Sequence, residues 1–551
     1  MQKLSFLIFL SIFITIISCN NKTSADKIYY NAKIYTCDSA QPWVTAIALK
    51  DDKIIYAGND YETYKSSSTI LVDLKQQLVL PGFTDAHVHF LSSGANLAGI
   101  DLRYASSKQE FIDQFKKYAA SLPDDRWITG GNWDHERWGG DLPTKQMIDS
   151  ISGDHPVAIS RLDGHMLLAN SKALKLAGIN SETPSPDGGT IVKDITGNPT
   201  GVLKDNAQDV IFSVMPSPSE KELDESFLRA QQYALSLGVT QVNDMGNYGG
   251  YPELETYRRA EKNGSLKMRI YSFVPLSTWQ KLHEYVQANG KGDDWVKWGG
   301  LKGFADGSLG STTAWFYKPY LDQPGSTGLM VTDTISLRKW ILAADSAHLQ
   351  VAVHAIGDRA NDFVLSCFEE AEKRDGKNDR RFRIEHAQHL SQDALTKFVK
   401  LQVIPSMQPY HAIDDGRWAY KRIDEDRISR TYAFHTLLNN KTILAFGTDW
   451  DVAPLNPLLG IYAAATRRTL DDKNPNGWVP EQKITVAQAV ESYTAGSAYA
   501  GFNENKTGKL KAGMLADFVV LDKNIFEIDP VAIKDAVVLR TVVGGKEMFV
   551  K

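Results

Sequence analysis

Apolar residues recur along this chain in two rhythms. Over residues 27–82 short apolar runs alternate with turn-forming residues. The runs 46–49 and 54–57 flank Lys50-Asp51-Asp52-Lys53, a hairpin signal. The runs 71–74 and 78–80 follow, closed by the breaker pair Pro81-Gly82. The C-terminal stretch has the same texture: 517–521 reads as a strand, and 541–543, Gly544-Gly545 and 546–550 read as a hairpin. Two β-rich ends around a different middle predict one small β-sandwich domain assembled from residues 27–82 and 503–551.

The middle alternates strand and helix. Apolar runs at 84–88, 239–243, 268–274, 301–305, 350–353, 382–384, 403–406 and 443–446 are separated by helical periodicity, as at 220–237 and 336–347. Repeated strand–helix alternation predicts an α/β fold with a parallel sheet covered by helices. Eight strands fit a (β/α)8 TIM barrel over residues 83–502; an open doubly wound sheet is the rival. The long gap after the first strand, 91–235, contains Pro184-Ser185-Pro186-Asp187-Gly188-Gly189. It predicts a large insertion over the barrel mouth.

Residues 1–19 differ from the rest. Lys3 precedes an apolar run at 4–17. Such a run, about 14 residues, is short for a membrane span and suits a signal-peptide core. Its end, Ile16-Ile17-Ser18-Cys19, resembles a bacterial lipoprotein box. The resemblance implies cleavage before Cys19, lipidation of that residue, and a polar tether over 20–26. The expectation is an exported protein held to a bacterial membrane by its lipid alone, on the periplasmic or cell-surface side. Cys37 and Cys367 then remain, too few for a disulfide scaffold.

Composition adds exclusions. The 551 residues are 43% hydrophobic and 23% charged, ordinary for a large globular chain. A formal net charge of -5 gives no basic surplus for nucleic acid. No Cys-x-x-Cys knuckle, nucleotide fingerprint or nucleophile elbow in its proper setting is present. Homo-oligomerisation is left open.

The candidate chemistry sits at strand ends. His87-Val88-His89 closes the first barrel strand, and residues two apart in a strand point to the same side. Two imidazoles so placed can grip one cation. His354 follows Val351-Ala352-Val353, His386 follows Arg383-Ile384-Glu385, and Asp449 follows Gly447-Thr448. Barrel strand ends converge on one face, so four histidines and an aspartate there predict a metal centre. Asp306-Gly307-Ser308-Leu309-Gly310-Ser311 and Gln408-Pro409-Tyr410-His411 also follow predicted strands and are expected at the mouth, with Asp306 and Tyr410 nominated for substrate contact. Trp450, beside Asp449, is a candidate pocket wall.

These strings also carry a resemblance. Pro81-Gly82-Phe83-Thr84-Asp85-Ala86-His87-Val88-His89 resembles the first-strand signature of the amidohydrolase superfamily. His354-Ala355-Ile356-Gly357-Asp358-Arg359-Ala360, Arg383-Ile384-Glu385-His386-Ala387-Gln388 and Gly447-Thr448-Asp449-Trp450 resemble amidohydrolase family 3, a branch that includes N-substituted formamide deformylases. The resemblance covers residues 27–551. It implies a divalent metal, zinc expected, on His87, His89 and Asp449. It also implies that His354 and His386 hold a second ion or polarise substrate, leaving one or two ions open. Lys302 would be a carboxylated bridging lysine, or else a lysine paired with an acid such as Asp306. In the insertion, Gly130-Gly131-Asn132-Trp133-Asp134 and Arg161-Leu162-Asp163-Gly164-His165 resemble family segments. They nominate Trp133, Arg161 and His165 for substrate contact.

The expected reaction is attack of metal-activated water on an N-acyl, N-formyl or cyclic amide of a small molecule. Asp449 acts as base and then acid, and the metal, or His386 or His354, stabilises the oxyanion. The alternatives are a surface-tethered metal-binding protein without turnover, and an ester or phosphoester hydrolase on the same barrel.

Overall fold

The computed structural model describes residues 24–123, 126–246 and 249–551. The expected signal peptide, Cys19 and the first part of the tether lie outside the described residues. Among those described, no helix is long and apolar enough to cross a membrane.

Eight parallel strands form the centre: Phe83–Val88, Val239–Asp244, Arg269–Pro275, Val296–Phe304, Gln350–Ala355, Arg383–His386, Ile404–Met407 and Ala445–Phe446. Each pairs with its sequence neighbour. The last strand meets the first through a Val88–Trp450 bridge, with Asp449 N–H donating to the His87 carbonyl at 2.7 Å and His89 N–H to the Trp450 carbonyl at 2.8 Å. The sheet therefore closes around its axis as a (β/α)8 barrel.

Helices cover the outside for readable reasons. Glu220–Ser236 starts on a capping box between Ser219 and Glu222 and buries Leu223, Phe227, Ala230 and Ala234, one face of a helix. Asp358–Asp375 buries Val364, Leu365, Phe368 and Ala371 in the same way.

The two chain ends interleave in a β-sandwich. One sheet runs Lys53–Gly58, Ala46–Lys50, Lys27–Tyr30, Ile70–Asp73. The other runs Lys546–Val550, Val538–Val543, Phe518–Leu521, Leu78–Pro81, Lys33–Tyr35, Trp43–Val44. N-terminal Leu78–Pro81 lies antiparallel to C-terminal Phe518–Leu521. Ile34, Ile47, Val79, Phe518 and Val542 fill the space between the sheets. A buried Arg269–Asp517 ion pair, 2.6 Å, ties the sandwich to the third barrel strand.

The insertion is a six-stranded sheet of its own, in the order Gly189–Lys193, Pro199–Asp205, Met166–Ala169, Ala158–Arg161, Gly130–Trp133, Ile100–Asp101. Phe111, Phe115, Trp133, Ile159 and Leu168 form its core. Charged pairs fasten it to barrel loops: Arg422 to Glu136 at 2.8 Å and Arg417 to Asp134 at 3.1 Å.

Candidate metal centre

His87 and His89 leave the first barrel strand on one side, and each has one ring nitrogen spoken for. His87 Nδ1 lies 2.6 Å from Glu385 Oε2, both side chains fully buried. His89 Nδ1 lies 3.1 Å from the Gly246 carbonyl. An ionised carboxylate and a carbonyl only accept, so both Nδ1 atoms donate and each Nε2 keeps a lone pair. Glu385 is in turn held by Arg383, whose Nε donates at 2.8 Å and Nη2 at 3.0 Å. These partners fix tautomer and ring direction, as outer partners of metal-binding histidines do.

The two lone pairs meet Asp449 Oδ1, 3.4 Å from His87 Nε2 and 3.5 Å from His89 Nε2. That oxygen is buried and has no hydrogen-bond partner. Three acceptor atoms facing one another repel, unless a proton or a cation sits among them. The donor set therefore fits a divalent metal. Burial, then the Lys302 charge, pushes His89 down to about 4 and His87 well below the usual imidazole range. Both are neutral at pH 7, the form that ligates.

Asp449 turns its other oxygen to a second pair. Oδ2 is 3.9 Å from His386 Nδ1 and 3.9 Å from His411 Nε2. Two three-residue sets of ligand atoms thus share one carboxylate: His87, His89, Asp449 and His386, His411, Asp449. His386 Nδ1 also lies 2.9 Å from Gln408 Oε1. His386 and Asp449 have φ of 72° and 59°. Such left-handed backbone at non-glycine residues costs roughly 1–3 kcal/mol each and clusters at functional sites. Burial pushes Asp449 up to about 7, against the pull of Lys302.

Lys302 and His354 take different places. Lys302 Nζ is 3.4 Å from His87 Nε2, and burial pushes it down to about 8 against the pull of Glu385 and Asp449. His354 directs Nε2 at the Gly307 carbonyl, 3.1 Å away, and joins neither three-residue set. Its ring stands 4.5 Å from that of His386. The pairing of Lys302 with Asp306, the alternative weighed above, is absent among the hydrogen bonds of the described residues; Asp306 faces other donors.

A cavity of about 1560 Å³ opens above this floor. His89, His386, His411 and Asp449 line it from the barrel, and Arg161 and His165 from the insertion. Four residues nominated for substrate contact do other things. Trp133 is fully buried in the insertion core and donates Nε1–H to the Ile159 carbonyl at 2.9 Å. Asp306, also fully buried, accepts the amides of Trp315, Gly357 and Ile356 at 2.7, 2.8 and 3.0 Å, bracing two loops. Trp450 packs its ring on Tyr233 and Phe90. Tyr410 packs against the barrel core, outside the cavity lining.

Arg161 reaches the cavity wall with its donors committed. Nη1 is 2.6 Å from Asp163, Nη2 3.4 Å from Asp134, and Nε donates to His135 Nδ1 at 3.2 Å. Asp163 also accepts Ser308 Oγ at 2.5 Å and Ser311 Oγ at 3.0 Å, so this cluster latches the insertion to the loop after the fourth strand. His165 instead pairs Nδ1 with Asp205 Oδ1 at 2.7 Å. Burial alone lowers its pKa, but Asp205 and other acids raise it above the usual value overall.

Sequence reasoning gave no role to Glu385, Arg383 or Asp85, and it expected Gln408 and His411 at the mouth without assigning them to the metal centre. Asp85 accepts Thr448 Oγ1 at 2.6 Å and His87 N–H at 3.1 Å, pinning the first strand to the loop that carries Asp449. The signal for Glu385 and Arg383 was their period-2 spacing in a buried strand, where charges need partners. His411 sits in the first turn of Pro409–Asp415, directly after the seventh strand, so the turn aims it back at the mouth.

The family described as "Amidohydrolase family" matches residues 71–549. The chain is 39% identical over 538 residues to Protein LONG AFTER FAR-RED 3 of Arabidopsis thaliana, covering 95% of this chain and 92% of that one. It is 24% identical over 552 residues to N-substituted formamide deformylase of Arthrobacter pascens, covering 94% and 97%. The crystal structure of an uncharacterized metal-dependent hydrolase from Pyrococcus horikoshii OT3 aligns with a TM-score of 0.73 at 30% identity, covering 92% and 99%. The chain belongs to the amidohydrolase family and is a metal-dependent hydrolase on a (β/α)8 barrel.

Proposed function

We propose that this hydrolase cleaves a C–N bond of the amide type, N-acyl, N-formyl or cyclic, in a small molecule. The observation that carries the reading is Asp449: one carboxylate, buried at the cavity floor, facing two imidazole lone pairs across 3.4 and 3.5 Å. A divalent cation on His87, His89 and Asp449, zinc by the nature of the donors, supplies water whose pKa falls from 15.7 to about 7.

Asp449 takes the proton as that water adds to the carbonyl, then returns it to the departing nitrogen. An amide nitrogen leaves as the amine only when protonated, so a base that becomes an acid beside it suits C–N cleavage. The oxyanion needs a donor. His354 spends Nε2–H on the Gly307 carbonyl and His386 spends Nδ1–H on Gln408, so in neutral form each keeps only a lone pair elsewhere. His165, whose pKa Asp205 and other acids raise above the usual value, lines the cavity, and in its imidazolium form it offers Nε2–H as a donor. The reading therefore gives the oxyanion to His165. With a divalent cation on His87, His89 and Asp449, Lys302, already pushed down to about 8 by burial, would favour its neutral amine, the form able to ligate the cation or to add carbon dioxide as a carbamate.

The formamide deformylase relative supports the substrate class by its name and its length of match. Export and lipidation at Cys19 belong to the same proposal, supported by the Lys3, 4–17 and Ser18-Cys19 pattern. The test is a panel of amides, imides and esters turned over by protein of measured metal content. Esters hydrolysed with no amide touched would remove the C–N assignment. Labelling of cells with a clickable fatty acid, lost in Cys19→Ala, tests the anchor.

A further inference from the structure

We infer that the substrate carries a cationic group, an ammonium or guanidinium, received by Asp415 and Gln388 on the cavity wall above Asp449. This substrate class rests on the C–N hydrolase reading above, while the subsite itself stands on geometry and charge.

Asp415 ends the helix Pro409–Asp415, which starts directly after the seventh strand. His411, in the first turn, has Nε2 3.9 Å from Asp449 Oδ2. Residues four apart share a helix face, so Asp415 stands on the same side, about 6 Å farther along the axis. Both residues line the cavity. Asp415 Oδ2 accepts Tyr432 Oη–H at 2.6 Å and Gln388 Nε2–H at 3.1 Å. Among the described residues, Oδ1 accepts no hydrogen bond and Asp415 has no ion-pair partner.

Gln388 points to the same occupant. It is only 4% exposed, lines the same cavity, and spends its amide nitrogen on Asp415. Its Oε1 accepts nothing among the described residues. Two adjoining side chains thus offer the cavity an amide oxygen and a carboxylate oxygen, both acceptors and both without a donor. Such a pair suits a group that only donates.

The surrounding charges have the matching sign. A chain of ion pairs runs Asp163–Arg161–Asp134–Arg417–Asp414, with acids at both ends. Asp415 adds a further carboxylate beside it. Burial pushes Asp415 up to about 7, Asp414 adds to the rise, and Tyr432, Arg161 and Arg417 oppose it. A cation at Oδ1 would hold it ionised. Over the whole cavity ten acidic side chains face four basic ones, a larger excess than the net charge of -5 on the entire chain. A divalent ion on the floor leaves that lining negative. Low-dielectric walls focus such a field, drawing cations in and keeping anions out.

The four basic side chains are not set to receive a carboxylate. Arg161 spends its donors on Asp163, Asp134 and His135. Lys302 stands against His87, Arg229 binds the Gly94 carbonyl and Ser226 Oγ, and Arg126 has Glu222 near it. With its carbonyl at Asp449, a substrate meets Asp415 about 6 Å farther up, the reach of roughly five single bonds. The class is therefore an N-acyl or N-formyl amide with a cation on a short flexible arm.

The experiment compares three formamides of one length on zinc-loaded protein: the mono-formamide of α,ω-diaminobutane, N-pentylformamide and ω-formamidopentanoate, with their acetyl counterparts. The ammonium compound should exceed the neutral one in kcat/KM by roughly 10-fold or more, and the carboxylate should be the poorest. Added salt should shrink the advantage. Asp415→Asn should bring the charged-to-neutral ratio close to one, Gln388→Leu should lower it, and Asp415→Glu should keep most of it. A ratio taken on one preparation cancels the folded fraction, so a partly unfolded variant still reports. Equal rates for the charged and neutral compounds would overturn the inference, as would a preference for the carboxylate. A ratio unchanged in Asp415→Asn would leave Asp415 a brace for Tyr432 and overturn the subsite. If none of the six is turned over, the C–N reading fails for this class. Calorimetric binding of the same compounds to zinc-loaded protein then decides the subsite alone: tighter binding of the ammonium compounds supports it, and equal binding overturns it.

Discussion

The barrel's strand ends and the insertion offered equally polar candidates, yet the fold uses them differently. His87, His89, His386 and Asp449 come from three distant stretches of chain and meet within one carboxylate's reach. Trp133 and Arg161, from the insertion, are drawn into its interior and its latch. The difference lies in what fixes side-chain direction. At a barrel strand end, period-2 alternation and the parallel order of strands do so, and both are local or topological facts. In the insertion, direction depends on a sheet whose strand order departs from chain order. Asp306 shows that a strand end is not sufficient by itself: its loop turns back, and three backbone amides claim the carboxylate.

The largest effect expected from this contrast is at Asp449. Asp449→Asn keeps the shape of the floor but removes both a ligand oxygen and the base. Turnover on the best amide should fall about 10²–10⁴-fold, measured at saturating metal so that lost affinity does not masquerade as lost chemistry. A variant as fast as wild type ends the acid–base role.

Next comes the latch. Arg161→Met strands Asp163 without its cation in a buried setting, while Asp134 keeps Arg417. Removing one partner of such a pair costs about 3–5 kcal/mol, read as a lower denaturation midpoint with KM little changed in the folded fraction. If instead stability holds and KM alone rises, Arg161 belongs with the substrate, and the line drawn between insertion and strand ends fails.

A smaller loss is expected from Glu385→Gln. Glu385 touches no substrate and positions His87. Weakening such an outer partner typically costs 10–100-fold in metal affinity, read by chelator competition. Excess metal should restore most of the rate.

What was legible follows the same division. All eight barrel strands were found from apolar runs, because both faces of such strands are buried. The fourth begins earlier than expected, at Val296, because Lys297 and Gly299-Gly300 hide its apolar run. Lys297 reaches past the strand to the Gly501 carbonyl at 2.7 Å. The eighth is only Ala445–Phe446, and the loop bearing Asp449 closes the barrel in its place. His411 was expected at the mouth only as part of the run 408–411, because nothing local says which residue of a helix's first turn looks back at the floor; the aromatic Tyr410 beside it was the more conspicuous choice.

Asp244 supplies the finest test, since it is a strand-end carboxylate that serves the scaffold. It is fully buried and accepts Tyr257 Oη–H at 2.7 Å, Phe90 N–H at 2.9 Å and Gly246 N–H at 3.3 Å. It thus supports the residue whose carbonyl orients His89. Burial, then the charge of Glu253, pushes its pKa up to about 7, against those donors. In the unfolded chain an aspartate titrates near 3.9. Because the folded value is the higher, the native state binds the extra proton between the two. Its stability contribution is full below pH ~4 and is lost as pH rises through about 7. Wild type should therefore lose on the order of 2 kcal/mol more than Asp244→Asn between pH 5 and pH 8, seen in parallel denaturant titrations. Equal slopes for the two proteins would mean that Asp244 is ionised in the fold throughout, and that its three donors outweigh its burial.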